Sequence, residues 1–546
     1  MTIRRLFLKS ASITSFLAAA SAVAYGLVLR CSSLGRSLWL DEAWVANSVS
    51  TRSLKGMFYY DAWLQSSPPL FLLLVKNTVA VFGLRNTALR LVPLAMGILT
   101  IVLMLSFAMR IVSSQYALLA GALLALSPVA VDYSRLLKQY STELAASSAI
   151  LLACSLYIEK TTARRFWALV ATVSVGLLSG YAIAFFLPGI AFLLWMAPIR
   201  PGDPSHISRL EGPLTRALVF TAIAGGILAG EYVLFVLPNS PEILRSQWSK
   251  KNARVESLTV LAASDAYQFV GELPLNHRLQ RQGIRVGVVG FTLIMGLALA
   301  WLRFRKGRYK SLEIQVVCLL PCLLLIVSDC FNWYPFTDRT SLFALPCLIA
   351  LLVSALQLMS LLLLKLNRDW IRPLLSVLIL GAIVLTLIAG RAKNYRIIGP
   401  VEDMDGAVSF LRAHVQPKDF LYVHASTSEA FKLYATMRKW TDPPARFGRT
   451  SWPCCARGVT EYGSSEELVR GDFGAALPAH PSGKVWLLYT ARPEHWQLNI
   501  DEPRIMQTIL DERGCVETPA AVPAFYNVGV AVFDCGSQGV APAAFR

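Results

Sequence analysis

The stretch Ser37-Leu-Trp-Leu-Asp-Glu-Ala-Trp44 decides how the chain is organised. It follows the first long apolar run and precedes a polar, amphipathic segment. Tryptophan is enriched at the membrane–water interface, so Trp39 and Trp44 predict that Asp41 and Glu42 lie at the edge of a bilayer. A partly desolvated acid at that depth can still meet a polar substrate, which makes this stretch a candidate active-site edge. The structural alternative is that Asp41 caps the N-terminus of an amphipathic helix.

The composition indicates a membrane protein. The chain has 546 residues, of which 55% are hydrophobic, more than is typical of a soluble protein. Several apolar runs approach or exceed the ~20 residues that span a bilayer. The net charge of +18 then reflects Lys and Arg in cytoplasmic loops and at lipid headgroups. Nucleic-acid binding is disfavoured, because these charges are spread over the loops between spans rather than gathered on one face.

Hydropathy and charge predict a polytopic α-helical membrane protein with about eleven transmembrane helices. Arg4, Arg5 and Lys9 lie at the N-terminal end of a retained first span, Leu6–Leu29, which predicts a cytoplasmic N-terminus. Basic residues in each inner loop support the same register. The other predicted spans are Ala88–Met109, Tyr116–Val131, Glu143–Tyr157, Phe166–Ser179, Ala182–Ala197, Ala217–Leu237, Arg285–Leu302, Leu312–Ser328, Thr340–Leu364 and Pro373–Gly390.

Two long loops are predicted on the outer side, residues 31–87 and 238–284. In the first, Asp41–Ser50 and Leu54–Leu64 have the pattern of short amphipathic helices. The apolar run from Pro69 to Phe82 is short for a span and is interrupted by Lys76, so it predicts a helix at the outer membrane surface. A short re-entrant or spanning helix is the alternative. Residues 1–398 thus form the predicted transmembrane catalytic domain.

Residues 399–546 predict a small α/β domain outside the membrane, because strand-like and helix-like segments alternate there. Cys515 and Cys535 are the predicted disulfide pair if this domain is extracytoplasmic. Acceptor binding, partner docking and stability all remain open as its purpose. The predicted elements are helices Asp405–His414, Ser428–Tyr434 and Pro503–Arg513, and strands Phe420–His424, Val485–Thr490 and Val528–Asp534.

Charged and aromatic residues collect at the outer ends of the predicted spans. A carboxylate can act as a base on a hydroxyl, and Arg or Lys can hold a phosphate as it leaves, which fits transfer from a lipid phosphate. Structural alternatives are that Lys138 and Arg339 reach headgroups and that Asp132 pairs with Arg135. The set comprises Asp41, Glu42, Asp132, Arg135, Lys138, Tyr181, Tyr334 and Arg339.

Five short motifs then follow one another in a characteristic order. They are Leu40-Asp41-Glu42-Ala43, Ser67-Pro68-Pro69-Leu70, Leu89-Arg90-Leu91-Val92-Pro93, Tyr133-Ser134 with Lys138-Gln139-Tyr140-Ser141, and Tyr334-Pro335-Phe336 with Arg339. Over the membrane part, this order resembles the GT-C glycosyltransferases that use polyprenyl-phosphate sugars, such as protein O-mannosyltransferases and the lipid A aminoarabinose transferase. The chain departs from the pattern where relatives often carry Gln-Glu and Arg, because it has Arg135, Leu136 and Lys138 there.

The resemblance implies an enzyme that moves a sugar from a polyprenyl-phosphate donor to a periplasmic glycan, lipid or protein by an inverting displacement. Asp41 is the implied catalytic base, and Glu42 orients the base or the acceptor. The expected donor phosphate-binding residues are Lys138, Arg339 and Arg135. The expected substrate-binding residues are Asp132, Tyr133, Tyr140, Tyr181 and Tyr334.

The expected setting is a bacterial inner membrane, with a cytoplasmic N-terminus and a periplasmic C-terminal domain. No cofactor is expected. A divalent metal on Asp41, Glu42 and Asp132 is disfavoured because no His joins them. A transporter or lipid flippase is the alternative function, but it would carry charges inside spans and often internal repeats. A scaffold for the C-terminal domain, or an enzyme that transfers an oligosaccharide or a lipid-linked phosphate group, are further alternatives.

Overall fold

The computed structural model describes residues 2–51, 53–60, 67–196, 212–239, 298, 309–331, 333–334, 339–363, 401–448, 466–478, 483–490, 501–518 and 522–535. The predicted span Pro373–Gly390 lies outside these residues, as do nearly all of the span Arg285–Leu302 and of the loop 238–284.

The described chain up to residue 363 is helical throughout its long apolar runs. Lipid offers no hydrogen-bond partner to the backbone, so an apolar segment must satisfy its own amide groups as a helix. The helices are α1 (Thr2–Cys31), α2 (Leu40–Ser50), α3 (Leu54–Phe58), α4 (Pro69–Phe82), α5 (Asn86–Leu89), α6 (Leu91–Ile111), α7 (Ser114–Ala125), α8 (Pro128–Tyr133), α9 (Tyr140–Glu159), α10 (Ala163–Ser179), α11 (Leu187–Met196), α12 (Pro213–Glu231), α13 (Tyr309–Cys330) and α14 (Leu345–Leu363).

Three described helical segments are long and apolar enough to cross a membrane, namely Leu91–Ile111, Tyr140–Glu159 and Pro213–Val236. Shorter apolar helices accompany them, including Ser114–Ala125 and Leu312–Ser328. The chain is therefore a multi-pass membrane protein, while the total of about eleven spans stays a prediction.

The predicted span Tyr116–Val131 is interrupted in the structure. Helix α7 ends at Ala125, and Ser127 then caps a new helix, α8, whose first residue is Pro128. Proline has no amide hydrogen and restricts the residue before it, so it starts a helix more readily than it continues one. The polar residues that follow α8 are thereby brought back toward α2.

The first outer loop forms the predicted helices with small changes. Helix α2 begins at Leu40, and α4 has the predicted bounds Pro69–Phe82, starting at a proline and ending before Gly83, which has a φ of 79°. Lys76 of α4 donates to the Val49 carbonyl at 3.2 Å, and so stabilises the C-terminal end of α2. Helix α3 ends at Phe58, and residues 61–64 of the predicted helix lie outside the described chain.

The C-terminal part contains a five-stranded mixed sheet in the order β2-β1-β3-β5-β4. Strands β2, β1 and β3 are parallel, whereas β5 is antiparallel to both β3 and β4. Strand β5 has the predicted bounds. The elements are α15 (Met404–His414), β1 (Phe420–Val423), α16 (Ser428–Met437), β2 (Ala445–Phe447), α17 (Glu466–Ala476), β3 (Lys484–Thr490), α18 (Glu502–Glu512), β4 (Val516–Glu517) and β5 (Val528–Asp534).

A disulfide joins Cys515 and Cys535, as the sequence predicted. It links the segment after α18 to the end of β5 and closes a loop with a sequence separation of 20. Cross-linking removes conformational entropy from the unfolded chain, so we expect it to stabilise this domain.

The substitution Cys515→Ser should destabilise the C-terminal domain by about 3 kcal/mol through the regained entropy of the open loop. We expect its melting temperature to fall by about 10 °C in detergent under non-reducing conditions. Cys31→Ser, which removes an exposed free thiol, is the control. Equal melting temperatures for the two variants would contradict a stabilising disulfide.

Candidate functional site

Helix α2 separates its two neighbouring acids. Successive helical residues are turned by about 100°, so adjacent side chains leave the helix in different directions. The Asp41 side chain is 26% exposed, whereas Glu42 is completely buried. Both lie in the first turn of α2, where the positive end of the helix dipole favours a carboxylate.

Asp41 meets two of the predicted phosphate-binding residues. The Lys138 ammonium lies 3.5 Å from Asp41 Oδ2, and the Arg339 guanidinium lies 3.9 Å from the same oxygen. Lys138 also lies 5.6 Å from the centre of the Trp44 ring, a cation–π distance. Two cations therefore lie close to one carboxylate, an arrangement that offers two positive groups to an anion.

Glu42 forms a buried ion pair that the sequence did not reveal. Arg90 donates hydrogen bonds to both carboxylate oxygens of Glu42, from Nε to Oε1 at 3.0 Å and from Nη2 to Oε2 at 2.7 Å. The Leu137 amide also donates to Glu42 Oε1 at 2.7 Å. Arg90 further donates to the carbonyls of Leu34 and Arg36. Glu42 thus holds the backbone at Leu137, next to Lys138. These contacts suit a residue that positions other groups.

Arg135 and Asp132 form their own pair beside this cluster. The Arg135 guanidinium binds the Asp132 carboxylate and lies 3.3 Å from the Ser32 hydroxyl. Arg135 is buried, while Asp132 is exposed. The structure therefore does not join Arg135 to Asp41 in the way that it joins Lys138 and Arg339.

The predicted tyrosines form two aromatic contacts. The rings of Tyr133 and Tyr140 meet edge to face at 4.9 Å, and Tyr334 meets Phe185 at 5.2 Å. Burial raises the pKa of the Tyr334 phenol, and the nearby Glu143 raises it further. The Tyr334 hydroxyl consequently stays protonated and can donate a hydrogen bond. The fifth substrate-binding candidate, Tyr181, begins the 3₁₀ helix Tyr181–Phe186, directly after α10.

The C-terminal domain binds the start of α2 directly. The Leu40 amide donates to Glu402 Oε2 at 3.4 Å, and the Leu38 amide donates to the Tyr434 hydroxyl at 2.6 Å. Trp39, the N-cap residue, makes no side-chain cap of its own. The domain therefore supplies acceptors that the N-terminus of α2 lacks locally.

The same contact continues along α2. The Asn47 amide group donates to both the carbonyl and the side chain of Glu429, each at 2.9 Å. Val45 and Val49 of α2 belong to one buried apolar cluster with Met404 and Phe431. The helix that carries Asp41 is therefore packed between the membrane helices and the sheet domain.

Comparisons with known proteins agree on the architecture. The family model for dolichyl-phosphate-mannose-protein mannosyltransferase matches residues 66–206. The structure is similar to ArnT from Cupriavidus metallidurans in the apo state, with a TM-score of 0.55, 13% identity, and coverage of 95% of this chain and 98% of that one. The overall fold is therefore similar to that of ArnT.

A second GT-C structure is similar over most of the chain. It is the archaeal oligosaccharyltransferase AglB from Archaeoglobus fulgidus, solved with an inhibitory peptide and a dolichol-phosphate. The TM-score is 0.52 at 14% identity, and the match covers 93% of this chain and 74% of that one. No curated protein matches the sequence with significance. The GT-C resemblance that the sequence motifs indicated is confirmed.

The variant Glu42→Gln should lower the free energy of unfolding by about 3–5 kcal/mol, because it leaves the Arg90 charge buried without its partner. Denaturant or thermal unfolding in detergent measures the change. Glu159→Gln is the matched control, since Glu159 pairs with Arg110 at an exposed site and such pairs contribute about 0–1 kcal/mol. If the two variants unfold alike, Glu42 is not the structural centre that its contacts indicate.

Proposed function

We propose that the chain is a membrane glycosyltransferase that moves a sugar from a polyprenyl-phosphate donor to an extracytoplasmic acceptor. The observation that carries this proposal is the Asp41 carboxylate, held at 3.5 and 3.9 Å from Lys138 and Arg339. One partly exposed acid and two cations supply a base and an anion clamp in one place. The GT-C fold, and a similar structure that holds a dolichol-phosphate, support a lipid-linked donor.

The proposed reaction is a single displacement. Asp41 accepts the proton of an acceptor hydroxyl as its oxygen forms a bond to the anomeric carbon of the donor sugar. The bond between that carbon and the phosphate oxygen breaks on the opposite face, so the configuration inverts. The electron pair leaves with the lipid phosphate, and Lys138 and Arg339 stabilise its charge.

Charge supports an orientation with Asp41 on the periplasmic side. Helix α6 begins beside Arg90, near Glu42, and ends next to Arg110, which pairs with Glu159 at the end of α9. Arg165 also lies near Glu159, so basic residues gather at the end of the bundle far from Asp41. By the positive-inside rule that end is cytoplasmic. The C-terminal domain, which binds α2, is then periplasmic, and the setting we propose is a bacterial inner membrane.

The remaining predicted site residues have supporting roles in this proposal. Glu42 positions α2 and the Lys138 segment rather than meeting substrate. Arg135 and Asp132 form the rim of the donor site. Tyr133, Tyr140, Tyr181 and Tyr334 provide aromatic surface and hydroxyl groups for the substrate.

The variant Asp41→Asn should lower the transfer rate by about 10²–10⁴-fold, because an amide cannot accept the acceptor proton. The assay incubates protein in nanodiscs with labelled polyprenyl-phosphate sugars and a membrane extract. Glu467→Gln, an exposed acid in α17, is the control. Transfer at the wild-type rate by the Asp41 variant would move the base elsewhere, and no transfer by the wild type with any donor would favour a transporter.

Variants Lys138→Gln and Arg339→Gln should each weaken binding of undecaprenyl phosphate by about tenfold, because each removes a charge-assisted contact to the phosphate. The affinity of both should also depend less on salt than that of the wild type. Lys55→Gln, an exposed cation in α3, controls for general charge loss. Unchanged affinity in both site variants would reject this pair as the phosphate clamp.

A further inference from the structure

Two buried carboxyl groups lie in the membrane part and are not used by the reaction above. Glu143, in the first turn of α9, is 3% exposed, and Glu231, at the end of α12, is 2% exposed. Within the described residues, Glu143 Oε2 and both carboxyl oxygens of Glu231 have no hydrogen-bond partner. Burying such oxygens without partners is costly, so they are candidates for hydrogen bonds to a ligand.

The backbone is shaped around the first of these acids. A Cβ atom at Gly180 would collide with Glu143 Cγ and would lie 2.8 Å from its Oε1. Glycine is therefore required there for the Glu143 side chain to lie against the end of α10. The next residue, Tyr181, has its phenol within electrostatic range of both Glu143 and Glu231. The two acids and Tyr181 thus form one group, which we name the buried acid group.

The helix geometry changes at the second acid. Directly after Glu231, the chain leaves the α-helical pattern and forms the π-helix Tyr232–Val236. Such π segments cost hydrogen-bond geometry and occur often at functional sites. This irregularity is independent of the unpartnered carboxyl oxygens, and it falls at the same point of the structure.

The buried acid group is connected to the phosphate clamp by aromatic residues. Tyr334 interacts electrostatically with both Glu143 and Arg339, and its ring packs on Phe185. Arg339 in turn lies 3.9 Å from Asp41. The polar path from the acids to the proposed base therefore runs through one tyrosine and one arginine.

We propose that Glu143, Tyr181 and Glu231 form the subsite that binds the hydroxyl groups of the donor sugar. This inference rests on the proposed function. In a polyprenyl-phosphate sugar, the ring is bonded directly to the phosphate, so it must lie beside Lys138 and Arg339. Carboxyl groups form hydrogen bonds with sugar hydroxyls, and the Tyr334 ring offers an apolar face. A site that pairs buried polar groups with hydroxyls discriminates strongly against ligands that lack them.

The test measures the binding of two lipids to the full-length protein in nanodiscs. One is undecaprenyl phosphate, and the other is the same lipid carrying glucose, mannose or galactose. The variants are Glu143→Gln and Glu231→Gln. Glu159→Gln is the control, because it lies on the same helix as Glu143, at the far end, and is exposed.

We expect both site variants to bind at least one of the sugar-carrying lipids about tenfold more weakly, while their affinity for undecaprenyl phosphate stays within about twofold. An equal loss of affinity for both lipids, or no loss of affinity for either, would overturn the subsite. Tyr181→Phe removes one hydroxyl with little change of volume and carries the same expectation if a Glu variant does not fold.

The wild type separates this inference from the proposed function. Equal affinity of the wild type for the sugar-carrying and sugar-free lipids would overturn the subsite, even if label transfer proceeds. Absence of label transfer, with selective binding of a sugar-carrying lipid, would overturn the proposed reaction and retain the subsite.

Discussion

The ion pair between Glu42 and Arg90 is the interaction on which the site depends. Both side chains are fully buried, where an unpaired charge is very costly, and each is satisfied by several partners. Arg90 donates hydrogen bonds to backbone carbonyls of the segment before α2, and Glu42 accepts one from the Leu137 amide. One buried pair thereby joins three distant parts of the chain. Asp41 has a defined direction because its neighbour in the helix cannot move.

The second constraint is the convergence of charges around Asp41. Lys138 follows α8, and Arg339 precedes α14, so the two cations come from segments about 200 residues apart. Neither forms this cluster until the helices have packed. Packing of the helices thus places two positive groups beside one carboxylate. This convergence of two cations is what the proposed phosphate clamp of Lys138 and Arg339 requires.

Sequence reasoning succeeded where a local rule applies. The prolines at 68 and 69 predicted the start of α4, and Val528–Asp534 was predicted as a strand with the bounds that the structure has. The location of Asp41, Lys138 and Arg339 at span ends predicted that they share one face. It failed where the partner is remote. No residue near Arg90 in the sequence indicates that Arg90 pairs with Glu42, since an arginine at a span end usually reaches lipid headgroups. Strands β2 and β4 have three and two residues, too few for any periodicity. The sequence indicated only that Glu143 begins a predicted span, and its burial was not foreseen.

The hydrogen bonds between the start of α2 and the C-terminal domain affect how the chain folds during synthesis. The Leu38 amide donates to the hydroxyl of Tyr434, which is synthesised 396 residues later. At ~5–20 residues per second, that delay is roughly 20–80 s. Throughout that interval the start of α2 lacks the acceptors that hold it in the folded protein. A chain that ends before Glu402 therefore lacks both acceptors, and the start of α2 acquires its native contacts only when the C-terminal domain folds.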